Sequence, residues 1–181
     1  MSKKFNNPPL STGQNFLTGG AVIRRLVRRA KIRPGDRVIE IGAGKGHITR
    51  ELLRVGAEVT AYELDRALAK RLRERFAGEK SLKIIAGDFL KSELPRSGDY
   101  KIFANIPFAR TTEIMRHMCK AHPPPREAWL IVERGAALRF CYRPPDWFAR
   151  FYRASMAGDV RREEFHPSPS CDAALLCIKR K

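Results

Sequence analysis

The sequence has no C-x-x-C pair, no H-E-x-x-H motif and no apolar run near the ~20 residues a membrane span needs. Each absence removes a class of function. The cysteines (Cys119, Cys141, Cys171, Cys177) and histidines (His47, His117, His122, His166) are scattered. Neither a zinc site nor a thioredoxin-like pair is expected, and no metal is assigned. Cys171 and Cys177 border and occupy an apolar run and read as packing residues. The N-terminus, Met1 to Pro9, lacks the apolar stretch of a secretory signal, so a soluble, cytoplasmic protein without a membrane partner is expected. Acids are missing from residues 1–35, which hold eight Lys/Arg.

That last absence is the edge of a larger imbalance. Lys and Arg number 36 against 19 Asp and Glu, a formal net charge of +17. Arg134, Arg139, Arg143, Arg150, Arg153, Arg161 and Arg162 form a second basic stretch against Asp146 and Asp159. Such a surplus bears on partners rather than fold, and a nucleic acid is the first polyanion to consider; a solubilising surface is the bland alternative. With 43% hydrophobic residues and 181 in all, the chain can bury an adequate core as one domain, which excludes a disordered or fibrous protein.

Periodicity predicts the elements. Val22, Ile23, Leu26, Val27 and Ala30 recur at helical spacing from Ala21 to Ala30, with Arg24, Arg25, Arg28 and Arg29 on the other side. Pro34-Gly35-Asp36 stops that helix. Strands are expected at Val38–Ile41, Glu58–Tyr62, Leu82–Ala86, Tyr100–Ala104, Ala128–Val132, Phe151–Ala157 and Ala173–Ile178. Helices are expected at Ile48–Val55, Arg66–Phe76, Thr111–Ala121 and Ala136–Tyr142. This alternation implies right-handed βαβ crossovers and a mostly parallel sheet. There is no repeat, no linker and no composition shift. A single domain over 1–181 is expected: a basic segment and helix to residue 35, then an α/β core from 36.

The strongest local signal is V-I-E-I-G-A-G-K-G-H-I-T from Val38. A strand runs into Gly42, Gly44 and Gly46, and a helix follows. Glycines allow a tight turn and close ligand approach, and the helix start presents free N–H groups. Lys45-Gly46 breaks the P-loop pattern, and G-x-G-x-G fits a dinucleotide fingerprint poorly. Glu63 ends the next strand, 21 residues after Gly42, where a carboxylate can accept both ribose hydroxyls. Asp65 is equally a helix N-cap. Asp88, in Gly87-Asp88-Phe89-Leu90, can accept from an adenine amino group with Phe89 or Leu90 against the ring, or be a turn residue.

Asn105-Ile106-Pro107-Phe108 discriminates among nucleotide chemistries. Proline fixes the backbone, so the Ile106 carbonyl stays in place beside the Asn105 amide oxygen. Two adjacent acceptors hold the two N–H bonds of a planar exocyclic amine and free its lone pair. Phe108 offers a flat face to the base. An amine so held can attack a sulfonium without a strong base, by positioning and electrostatics.

With these motifs in order, the chain resembles the Erm/KsgA group of S-adenosylmethionine-dependent rRNA adenine N6-methyltransferases. The resemblance runs from S-T-G-Q-N-F-L (Ser11–Leu17) through I-E-I-G-A-G-K-G-H-I-T, A-Y-E-L-D, G-D-F-L and N-I-P-F to F-H-P-S-P-S-C-D-A-A-L-L (Phe165–Leu176). G-K-G-H-I-T and N-I-P-F place it nearer the Erm branch. The resemblance implies a Rossmann-like seven-stranded methyltransferase fold with helices on both faces. S-adenosyl-L-methionine is the implied cofactor and 23S rRNA the implied substrate, with macrolide–lincosamide–streptogramin resistance the result. Small-subunit rRNA and a non-catalytic RNA-binding role are the alternatives. It also implies that Gln14, Asn15, Leu17, Gly42, Gly44, Glu63, Asp88, Phe89 and Asn105 meet the cofactor. Asn105 would sit between cofactor and target, and Phe108 and Phe165 would flank a flipped adenine. Read alone, Phe165 is a packing residue. Arg24, Arg25, Arg28, Arg29 and Arg134 would meet RNA phosphates. A monomer is expected, without the helical domain that members usually carry after the last strand.

Overall fold

A computed structural model describes residues 15–181; Gln14 falls outside them. In chain order the elements are β1 (Phe16–Leu17), α1 (Gly20–Arg29), β2 (Arg37–Ile41), α2 (His47–Arg54), β3 (Glu58–Glu63), α3 (Arg66–Arg75), β4 (Leu82–Ala86), β5 (Lys101–Asn105), α4 (Thr111–Lys120), β6 (Glu127–Glu133), α5 (Arg134–Tyr142), α6 (Asp146–Ala149), β7 (Tyr152–Val160), β8 (Phe165–His166) and β9 (Ala173–Arg180). Seven strands form one sheet in the order β4-β3-β2-β5-β6-β9-β7. β9 alone runs against its neighbours. β1 and β8 form a separate antiparallel ribbon, Phe16 opposite His166 and Leu17 opposite Phe165.

The expected strands and helices are all present, shifted at their ends by a few residues. β7 continues beyond Ala157 to Val160 through a bulge at Met156/Gly158. The elements β1, β8 and α6 were not expected. The β1–β8 ribbon is only two residues long on each side, too short to show alternation. α6 is four residues after Pro144-Pro145, less than an amphipathic repeat.

Strand alternation divides the core. Val38, Val59, Phe103 and Leu175 face one side, under Ile23, Leu26 and Val27 of α1, Leu52 of α2 and Leu72 of α3. Ile39, Ile41, Ile102 and Leu176 face the other, under Ile114, Met115 and Met118 of α4, Phe140 of α5 and Phe148 of α6. Helices on both faces explain why the central strands read as continuous apolar runs. Phe103 and Met115 are fully buried, each contributing ~1.5–3 kcal/mol of apolar burial.

A partly buried bridge fastens α1's exit to the sheet centre. The Lys101 ammonium lies 2.7 Å from an Asp36 carboxylate oxygen and 3.4 Å from the Lys31 carbonyl. Burial pushes the Asp36 carboxyl up, but bonds from Lys101 and the Arg33 N–H outweigh it and hold the group below its usual range.

Candidate active site

Strand order sets the site's place. β2 and β5 are neighbours, with Ile41 opposite Ala104, yet β3 and β4 extend the sheet from β2 while β6 extends it from β5. Where order reverses, the loops leaving the carboxyl ends diverge and open a crevice. A cleft open to solvent lies there. A second cleft, at the amino ends of the same strands beside Arg37, Lys83 and Tyr100, is lined by none of the expected site residues.

Gly42 and Gly44 line the first cleft from β2. Gly42 is exposed at φ +72°, and a Cβ there would meet nothing within 4 Å. Its backbone is open to a ligand. Gly44 is buried, and its N–H donates to Glu63 Oε2 at 2.7 Å. Glu63 Oε1 accepts the Asp65 N–H at 2.9 Å. The Glu63 carboxylate is 1% exposed and lines the cleft, with lone pairs left for hydroxyl donors. The sequence pattern did not disclose that Glu63 also holds the glycine turn. Asp65 takes its N-cap role, accepting from the Ala67 and Leu68 N–H groups at 2.7 and 3.1 Å.

Beneath the turn, Glu40 is buried on β2. One oxygen accepts the Thr49 hydroxyl at 2.7 Å; the other has no partner among the described residues. Burial raises its carboxyl to about 7, with a further push from Glu63, against the lowering bond from Thr49.

The opposite wall comes from β5. The Asn105 side-chain N–H donates to the Asn15 carbonyl at 2.7 Å. A carbonyl can only accept, so this bond turns the Asn105 amide oxygen the other way. Ile106 is buried and its N–H donates to the Ile131 carbonyl at 3.3 Å. Its own carbonyl takes no hydrogen bond among the described residues. Pro107 holds φ at −59°, and its carbonyl accepts from Arg110 at 2.9 Å. Phe108 is half-buried, and its carbonyl accepts the Thr111 hydroxyl at 2.9 Å. All four residues, and Asn15, line the cleft.

Other expected contacts fall differently. Leu17 and Phe89 are 3% and 4% exposed, so their side chains belong to the core, and Phe89 packs edge-on against Tyr62 and His117. Asp88 does not line the cleft; it caps the short 3-10 turn after β4 through the Leu90 N–H at 3.0 Å. Phe165, expected beside the flipped base, is 4% exposed and lies opposite Leu17. The packing reading of the residue alone matches this placement. Phe16 went unnoticed, although it lines the cleft.

Of the expected RNA contacts, Arg25 pairs with Glu164 at 3.1 Å and Arg134 with Asp159 at 3.2 Å. Arg24 lies 3.9 Å from Glu51. Arg28 and Arg29 are exposed with no acidic partner among the described residues. Among those residues no cluster of metal-ligating groups occurs, and no helix is long and apolar enough to cross a membrane.

An rRNA methyltransferase of Streptomyces thermotolerans is 36% identical over 179 residues, 93% of this chain and 58% of its own length. A ribosomal RNA small subunit methyltransferase A of Moorella thermoacetica is 34% identical over 189 residues, 93% of this chain and 66% of its own. The chain thus spans less than two thirds of either relative. The crystal structure of the 23S rRNA methyltransferase ErmE is similar at TM-score 0.83 and 30% identity, over 92% of this chain and 70% of that one. Residues 6–181 match the family described as ribosomal RNA adenine dimethylase, and the chain belongs to that family.

Proposed function

We propose that this chain transfers a methyl group from S-adenosyl-L-methionine to the N6 amine of an adenine in ribosomal RNA. The Asn105 amide, whose N–H is held by the Asn15 carbonyl so that its oxygen turns away from that bond, lines the cleft with Ile106 and carries the reading. These two acceptors would hold the amine's two N–H bonds and leave the nitrogen lone pair toward the cleft. Phe108 would stack on the base once it leaves the helix, since a stacked adenine cannot reach the cleft. Glu63 would accept the ribose hydroxyls, and Gly42 would let the ligand approach the backbone. The cofactor supplies a methyl on a sulfonium, an electrophile that asks for no strong base. Asp88 would take the adenine amino group through its oxygen not used by Leu90.

The substrate reading is 23S rRNA at the macrolide-binding site, with resistance to macrolides, lincosamides and streptogramins as the consequence. G-K-G-H-I-T, N-I-P-F and the likeness to ErmE support it. The relative named for the small subunit makes 16S rRNA the second reading. The enzyme would act as a cytoplasmic monomer. Arg28 and Arg29 would hold phosphates, so binding should weaken with salt. Labelled methyl transfer to protein-free 23S and 16S rRNA tests the proposal. Label on adenine N6 of 23S supports it, label on 16S alone moves the substrate, and no label on either overturns it.

A further inference from the structure

Besides Phe108, the ring of Phe16 lines the cleft. Phe16 belongs to neither core cluster, unlike its neighbours Leu17 and Phe165. It pairs with no other aromatic ring among the described residues. Its ring lies against the glycine turn: a Cβ on Gly44 would stand 2.8 Å from its Cε1 and 3.2 Å from its Cδ1. The glycine is therefore what gives the ring its place. The Lys45 ammonium sits 5.6 Å from the ring centroid, so the ring already faces a cation.

The backbone on either side is held. Asn15 is tied by Asn105, and Phe16 and Leu17 pair with β8. Thr18 donates both its N–H and its hydroxyl to the Glu164 carbonyl, at 3.0 and 3.1 Å. A half-buried ring on a fastened ribbon, lining the same cleft as Glu63 and Asn105, is a poor packing residue and a good ligand contact.

Aromatic faces attract cations, most strongly those shed of water. A sulfonium has no N–H or O–H to donate, so it forms no conventional hydrogen bond, whereas a ring face attracts its charge directly. The thioether left after transfer is neutral and gains nothing from the ring's charge distribution.

We propose that Phe16 is a specificity-determining residue whose ring holds the cofactor's sulfonium and favours the charged methyl donor over its neutral product. The proposal rests on the reading of the cleft as an S-adenosylmethionine site. The exposed Lys45 ammonium lies over the same ring, so the ring's charge distribution suits a cation.

Calorimetric titration of S-adenosylmethionine and S-adenosylhomocysteine into wild type, Phe16→Leu and Phe16→Tyr tests this. Phe16→Leu should weaken the sulfonium ligand roughly three- to tenfold and the thioether less than twofold. Phe16→Tyr, which keeps the ring, should keep the wild-type ratio. Equal weakening of both ligands by Phe16→Leu would make the ring an ordinary contact and overturn the proposal, as would no change in either. A wild type that binds neither ligand would sink the reading of the cleft itself, a different result.

Discussion

The two walls of the cleft are built in different ways. The β2 wall is local: Gly42, Gly44 and Glu63 lie within one β-α-β stretch, and Glu63 ties the turn to the end of β3 through Gly44 and Asp65. The β5 wall is assembled from afar. Asn105 takes its orientation from Asn15, ninety positions away, and the ribbon carrying Asn15 is held by Phe165 and Glu164. Local construction suits a wall that binds a rigid nucleoside. Long-range construction suits one whose acceptor must point in a single direction, because the bond that aims it comes from outside its own loop.

Substitutions on each wall should separate these roles. The largest effect belongs to Asn105→Ala, which should cut methyl transfer at least ~100-fold, the scale of removing one preorganised polar group from a reacting centre. Glu63→Ala should weaken cofactor binding by calorimetry about tenfold or more, because it removes an acceptor and strands the Gly44 N–H. Unchanged affinity would remove the ribose assignment. Phe108→Ala should lower transfer roughly tenfold while Phe108→Tyr is tolerated, stacking being worth ~1–3 kcal/mol per base. Equal rates for the two variants would refute stacking.

Glu40 tests the foundation beneath the β2 wall. Its folded carboxyl titrates at about 7 against an ordinary 4.5, so the folded state holds the proton more tightly. Stability from this group is then fully present below pH 4.5 and lost as pH rises to about 7. Relative to wild type, Glu40→Gln should therefore gain up to ~1.4 kcal/mol per pH unit across that window, above any constant offset. Urea melts at pH 5 and pH 7.5 check it; a difference independent of pH would show that Glu40 is ionised throughout. The smallest effect is at the surface. Arg28→Ala or Arg29→Ala should each reduce the salt slope of RNA binding by ~0.7 if the contact is to single-stranded RNA. Arg25→Ala should change it less, since Glu164 already holds that guanidinium.

The same contrast governs what could be read from the residues. Gly42 and Glu63 were legible because strand, turn and strand are contiguous and their spacing is fixed by geometry. The sheet's strands were legible from β-branched runs between turn residues. Asn105 and Ile106 were legible as cleft residues at the end of β5, but not the bond that orients Asn105, since no periodicity links Asn15 to β5. Phe16 escaped notice because a two-residue strand has no alternation to separate a core side from a cleft side. Phe165, which the resemblance set beside the base, lies buried opposite Leu17, a placement that no spacing in the sequence discloses. Asp88 carried two readings, and the bond to the Leu90 N–H satisfies one of them while leaving an oxygen for the other.

The central claim is that Asn105 acts on the target amine while the β2 wall holds the cofactor. Single-turnover methyl transfer and the S-adenosylmethionine Kd, measured on one preparation of Asn105→Ala, test it directly. The rate should collapse while the Kd stays within about threefold of wild type. A Kd that rises in step with the loss of rate would place Asn105 in cofactor binding instead, and would contradict the division between the two walls.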